Sequence, residues 1–480
     1  MATLETVPEE IFLSIFDCLD HSYKPDYLRY LTVSRRWQRA VERFFFEDLS
    51  IDSAQLSNFA ALFQGKGAHR KALVKQLSYH AVLPPYDGDD CHQHEELNNQ
   101  VFSAAILELF QILETFSEDE AVKANFGRGR GIVLYLEPPV SPNDKNIPPP
   151  DKEYRLHAVF IRLLNPKQLP TLACVSDLIV GCIGGRRILD PASGVYLASM
   201  MKNLNCWRMS YNDYWESITD ETLIRIRRDF IKALSNHNQA VAKFDLRSQS
   251  CDRIDESIPA PKHTSSPTAM DPFSIAIHEF IQRANVSVID IEGTHPMSPE
   301  ILWPYKTVKD VPVPLWPKLE HIFLYPAHHT PDGDWYFSGD PKIASHSEFS
   351  GPANGNGVKN LVRLAGQTEN TFRSVLVPER IDPFLKAIAQ VVRHVPSLRR
   401  LDVWFGDEQL CPRYVKVDDL RRRFRIFYFA PGMKSWYDEE SPRSRPRIIC
   451  DVGGSWRASE EIEEMWMEAM GPNGLIHYHH

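Results

Sequence analysis

Side chains able to do chemistry occur throughout this sequence, but rarely in a working arrangement. Cys91-His92-Gln93-His94 follows Asp87-Gly88-Asp89-Asp90 and is rich in metal-ligating types. Its spacing fits no standard zinc pattern, so a polar loop is the simpler reading. His328-His329 and the cluster His477-Tyr478-His479-His480 are read the same way, and the terminal cluster as simply exposed. Gly127-Arg128-Gly129-Arg130-Gly131 precedes an apolar run instead of following one, which makes it a turn and not a dinucleotide fingerprint. The basic runs Arg421-Arg422-Arg423-Phe424-Arg425 and Arg443 to Arg447 are solvated faces, with anion binding or nuclear import as the alternative. The sequence contains no Gly-x-Ser-x-Gly, P-loop or His-Glu-x-x-His motif, and nothing pairs a nucleophile with its base. The expectation is a non-enzyme with no metal and no cofactor.

One set of residues has binding potential. Asp245, Asp290 and Asp402 each stand between two apolar residues in short strand-like runs. Alternation along a strand sends such a residue to the face opposite its neighbours. Together they form an acidic row able to pair with Lys or Arg on a target. The alternative is that they are solvated or cap neighbouring loops.

The chain has 480 residues, 43% hydrophobic and 11% aromatic, with a formal charge of -9. That length suits one small module and one large body with a sizeable core. The charge argues against a nucleic-acid partner. Eight cysteines are spread without C-x-x-C spacing, which points away from disulfides or structural zinc and toward a reducing compartment, cytoplasm or nucleus. Met1 to Glu10 lacks the apolar core of a secretory signal. The longest apolar stretch, Leu172 to Ile183, is too short for a span of about 20 residues, so no membrane association is expected.

The elements that must position these groups begin at residues 1–46. Thr6 and Glu9 have capping-box spacing, with Pro8 in the first turn. Ile11, Phe12, Ile15, Phe16 and Leu19 recur at helical spacing as one apolar face. A polar break, Asp20 to Asp26, precedes a second apolar segment around Tyr27, Leu28, Tyr30, Leu31 and Val33. Ser34 is the N-cap for a third helix with Trp37, Ala40, Val41 and Phe44 on one side. On pattern alone this is a three-helix start to a larger core. The order Val-Pro-x-Glu-Ile-x-x-x-Ile-x-x-x-Leu, then Leu-x-x-Leu-x-Val-Ser-Arg-Arg-Trp, resembles the F-box family. Val7 stands where that family usually has Leu, Ser34 where it has Cys, and the loop between Leu19 and Leu28 is a few residues longer. The resemblance implies docking onto a Skp-type adaptor joined to a cullin ligase, with Pro8, Ile11, Ile15, Leu19, Leu31, Val33 and Trp37 forming or supporting the interface.

Residues 47–480 repeat a theme of amphipathic helix followed by short strand. Phe44 to Ile51 is expected as the first strand. Asp271-Pro272-Phe273 and Asp382-Pro383-Phe384 open helices that lead to strands at 286–291 and 398–403, and Asp229 opens a third unit without the proline. Further strands are expected at 131–136, 204–209 and 319–324, and a helix capped by Ser459 closes the chain's open end. Pro- and polar-rich stretches at 137–152, 250–270 and 330–357 are loop insertions. Trp316-Pro317-Lys318-Leu319-Glu320-His321-Ile322 and Pro396 to Val403 resemble degenerate leucine-rich repeats. Such bodies follow F-boxes in large filamentous-fungal families, which the whole chain resembles. The expected architecture is a small all-α module followed by an irregular leucine-rich-repeat-like α/β solenoid; a mixed α/β domain of another topology is the alternative. The implied function is the substrate-recognition subunit of a Skp–cullin–F-box ubiquitin ligase that grips an unidentified target protein. The competing reading is a non-catalytic repeat-like scaffold that binds no adaptor, and a third is an enzyme with an unrecognised site.

Overall fold

The computed structural model describes residues 7–18, 30–86, 95–129, 131–146, 160–181, 187–211, 220–248, 256–257, 259–260, 262–264, 270–343, 345–348, 368–405, 424–435, 443–453 and 456–479. The Cys91–His94 run, Arg421 to Arg423, Thr6, Leu19 and His480 lie outside them.

Twelve strands form one sheet, and their order in the sheet is their order in the chain. They are β1 (Asp48–Asp52), β2 (Gln76–His80), β3 (Ile132–Leu136), β4 (Val175–Val180), β5 (Cys206–Tyr211), β6 (Lys243–Ser248), β7 (Val288–His295), β8 (His321–Pro326), β9 (Arg400–Phe405), β10 (Phe424–Phe429), β11 (Arg447–Val452) and β12 (Leu475–His479). β1 to β9 are parallel throughout. β10 runs antiparallel to both β9 and β11, and β12 is parallel to β11. The protein is thus a mixed α/β molecule: a small helical N-terminal region, then a large, mostly parallel sheet.

Side-chain alternation explains the layering. Leu49, Leu77, Leu134, Leu178, Trp207, Phe244, Ile289, Ile322, Leu401, Tyr428, Ile448 and Ile476 occupy one continuous cross-strand row. All belong to, or pack against, a single core. In β2, β3 and β8 only every second residue is buried, so one face is covered and the other stays open. A parallel sheet that always steps in one direction with right-handed crossovers puts its connections on one face. The helices there are α3 (Leu56–Leu62), α4 (Glu95–Ser117), α5 (Glu120–Phe126), α6 (Pro191–Ser199), α7 (Asp220–Ser235), α8 (Pro272–Ala284), α9 (Pro378–His394) and α10 (Glu460–Met470). Sequence neighbours pack together: α6 on α7, α7 on α8, α9 on α10.

Local chemistry sets several boundaries. The Asp271 carboxylate accepts from the amides of Phe273 and Ser274, with Pro272 in the first turn of α8, and Asn285 closes that helix in the left-handed conformation. Asp190-Pro191 starts α6 in the same way. Other expectations need correction. α9 starts at Pro378, so Pro383 lies inside it and Asp382 is no cap. Asp229 sits within α7, which begins nine residues earlier, at Asp220. Phe44 to Glu47 is helical, and only from Asp48 does the chain become a strand. The helical spacing of Ala40, Val41 and Phe44 continues through that aromatic run and overrides its strand propensity. The last helix, α10, lies beside α9, and the sheet's final edge is β12. Within 330–357, short strands at 337–338 and 345–348 pair with 375–376 and 368–371. His328 and His329 are buried against Phe337 and Trp335. His477 and His479 lie half-buried in β12. No helix among the described residues is long and apolar enough to cross a membrane.

Three fully buried imidazoles give the core a pH response. His237 stacks on Trp207, His278 bonds Tyr305 Oη at 2.9 Å, and His295 stacks on Phe273. Burial pushes His237 and His278 down to about 4 and His295 to about 3. These groups ionise in the unfolded chain near pH 6.5 but not in the fold. Their stability is therefore complete above pH 6.5 and lost as pH falls toward 4. Asp290 and Asp402, raised to about 6 by burial, act oppositely, but they are fewer and less shifted. The melting midpoint should fall between pH 7 and pH 4.5, and His237→Phe should flatten that fall. A thermal-denaturation series across this range checks both.

Candidate functional site

The N-terminal helices split their apolar residues between two faces. α1 (Glu9–Asp17) turns Phe12 and Phe16 inward, 1% and 2% exposed, while Ile11 and Ile15 stand 51% and 40% exposed. α2 (Arg35–Glu47) opens with Trp37 N–H donating to Ser34 Oγ at 3.4 Å, so the expected cap is formed. Phe12, Phe16, Ala40 and Val41 make a small core of their own, against which Leu31, Trp37 and Phe44 pack. The Trp37 ring meets Phe12 edge-on at 5.2 Å and stacks on Tyr30 at 5.0 Å. Its role is therefore support from within. Val33 is 58% exposed, and Pro8 is also on the surface. Among the described residues, Ile11, Ile15 and Val33 are thus the large apolar side chains that this module leaves in water. The single five-residue apolar face expected for α1 is in fact an inner pair and an outer pair. Apolar side chains left in water on a small module make this face a candidate partner-binding surface.

The module is braced in two ways. Arg36 donates to the carbonyls of Val7 and Pro8 at 2.7 and 2.9 Å and lies over the Phe12 ring. On the other side of α2, Glu42 is buried and accepts from Arg70 at 2.8 Å, with His69 Nε2 3.0 Å away. Both partners sit on the 3-10 segment Gly65–Leu73 of the sheet-bearing body. Burial would raise the Glu42 carboxyl, but the hydrogen bonds from His69, Arg70 and Gln38 win and hold it below its ordinary value. No residue separates the end of α2 at Glu47 from the start of β1 at Asp48.

The three row aspartates share one line on the face opposite the core row, but Asp245 and Asp402 are buried there and only Asp290 is partly exposed. Arg208, Asp245, Asp290, Phe323, Asp402 and Phe427 are successive partners from β5 to β10. Two of the carboxylates are already neutralised. Asp245, fully buried, accepts from Arg208 Nε at 2.7 Å and Arg247 Nε at 2.8 Å. Asp402 accepts from Arg400 Nη2 at 2.6 Å, and the same guanidinium lies 5.1 Å from the Phe323 centroid. The sequence hid this because the Arg208–Asp245 pair joins different strands, 37 residues apart. It also concealed the aromatic lining, Phe323, Tyr325, Trp404 and Phe427, whose alternation with the core residues was the available signal. Among the described residues no metal-binding cluster forms.

Residues 4–50 match the F-box-like family model, so the chain carries an F-box-like domain there. No curated protein matches the chain. The outer apolar set and its inner support both fall inside the matched residues.

Two substitutions test the bracing. Glu42→Ala should cost about 1.5–3 kcal/mol, the usual range for hydrogen bonds to a charged group. Trp37→Ala should cost about 3 kcal/mol or more by emptying the small core. Urea denaturation of each variant beside the parent chain measures both losses.

Proposed function

We propose that this chain is the substrate-recognition subunit of a Skp–cullin–F-box ubiquitin ligase. The observation that carries this reading is the exposure of Ile11, Ile15 and Val33 on a module matched by the F-box-like family model. Pro8, Ile11, Ile15 and Val33 meet the Skp-type adaptor directly. Leu31 and Trp37 hold those residues in place, and Leu19, outside the described residues, belongs to the same interface by resemblance. The chain performs no chemistry itself and works by bringing a target near the ligase's other subunits. It does so in the cytoplasm or nucleus, without nucleic acid or membrane.

The body is a leucine-rich-repeat-like solenoid, supported by strand order that follows chain order and by helices stacking with their sequence neighbours. Its open sheet face takes the target protein. The competing scaffold reading requires Ile11, Ile15 and Trp37 to pack against Phe44 to Ile51 and beyond. Ile11 and Ile15 face water instead, while Trp37 shares the small core with Phe44.

Ile11→Asp combined with Ile15→Asp should abolish co-elution with a purified Skp-type adaptor. Its melting midpoint should stay within about 1 °C of the parent's, because exposed sites change stability little. If the parent chain itself fails to bind the adaptor at micromolar concentration, the ligase reading is wrong.

A further inference from the structure

The open face of the sheet repeats one arrangement. A carboxylate holds a guanidinium, and beside Arg400 and Arg425 aromatic rings flank the pair. Arg400 is gripped by Asp402 and lies between Phe323 and Phe429, 5.1 and 5.5 Å from their centroids. Arg425 lies 4.2 Å from the Trp404 centroid with Asp451 at 3.6 Å. Asp245 holds Arg208 and Arg247.

Asp290 breaks the pattern. It stands between Asp245 and Phe323 in the same row, yet the neighbouring guanidinia are directed elsewhere: Arg208 and Arg247 to Asp245, Arg400 to Asp402. Among the described residues its carboxylate makes no hydrogen bond or ion pair. It is only partly exposed, and burial, then the nearby Asp245 charge, lifts it to about 6 against the weaker through-space pull of Arg247 and Lys243. Glu292 lies two residues on along β7, on the same face, with only a long contact of 3.5 Å to Arg247. Tyr325 feels the charges of both Asp290 and Glu292 and meets Trp404 edge-on at 5.2 Å. Carboxylates beside half-buried rings form a seat for a cation.

We propose that the Asp290–Glu292–Tyr325 position receives a lysine or arginine side chain from the target protein, completing from outside the pair that the fold completes elsewhere with its own arginines. The inference rests on the target-binding role proposed for this face. An acidic or phosphorylated target fits less well. Arg208, Arg247, Arg400 and Arg425 are all engaged with carboxylates of this chain, so a phosphate would have to displace an existing partner.

The test uses the full chain and fluorescein-labelled hexa-arginine, hexa-lysine and hexa-glutamate peptides, read by anisotropy at low salt. The basic peptides should bind and hexa-glutamate should not. Asp290→Asn should weaken basic-peptide binding at least fivefold, while Glu468→Gln, a control on the exposed side of α10, should leave it unchanged. Glu292→Gln gives a second reading should Asp290→Asn melt early. Equal losses from Asp290→Asn and Glu468→Gln would show diffuse attraction to an acidic protein and overturn the proposal, as would preference for hexa-glutamate. Adaptor co-elution of Asp290→Asn, expected to be intact, keeps this outcome separate from failure of the ligase reading.

Discussion

The molecule depends on a single constraint: an unbroken row of apolar side chains from Leu49 to Ile476 must face one way across twelve strands. A shift of one residue in any strand would move its core residues to the other face. Helices can then cover only one side. The opposite side must be stabilised without a helical layer, and it is, by arginines laid over aromatic rings and tied to aspartates. That solution puts charge and aromatic surface side by side on the exposed face, a composition suited to protein recognition.

The two parts of the chain meet this constraint differently. The sheet-bearing body closes on itself through one large core that reaches from Leu56 to Trp466. Among the described residues, the F-box-like region closes around a small buried set, Phe12, Phe16, Ala40 and Val41, and keeps Ile11, Ile15 and Val33 outside. So small a core is marginal alone. The Glu42 brace and the direct run of α2 into β1 lend it the stability of the larger body.

Much of this was legible in the sequence wherever a single residue type has a single physical use. Asp271-Pro272 marked a helix start because a capping carboxylate and a first-turn proline serve the same end. Alternation at 286–291 and 398–403 marked strands with one covered face. Legibility failed where both faces of a strand are buried. Phe424–Phe429 and Arg447–Val452 are buried on nearly every residue, so they show no period of two. It failed again at Asp382, where a proline that can begin a helix sits inside one. The site was visible in part. Spacing placed Ile11, Phe12, Ile15 and Phe16 on one helix but could not say which pair faces inward. The aspartates were found because their apolar neighbours are local; their arginines were not, because cross-strand pairing is set by the fold.

The junction at Glu47 and Asp48 has a geometric consequence. With no linker, the helix that supports the F-box-like surface from within and the first strand of the sheet turn together. Distance from that surface is then counted in strands, each adding about 4.8 Å. Asp290 lies six strands beyond β1, or roughly 29 Å along the sheet. The body acts as a ruler, and inserting or deleting a strand would change the reach to a bound target in fixed steps.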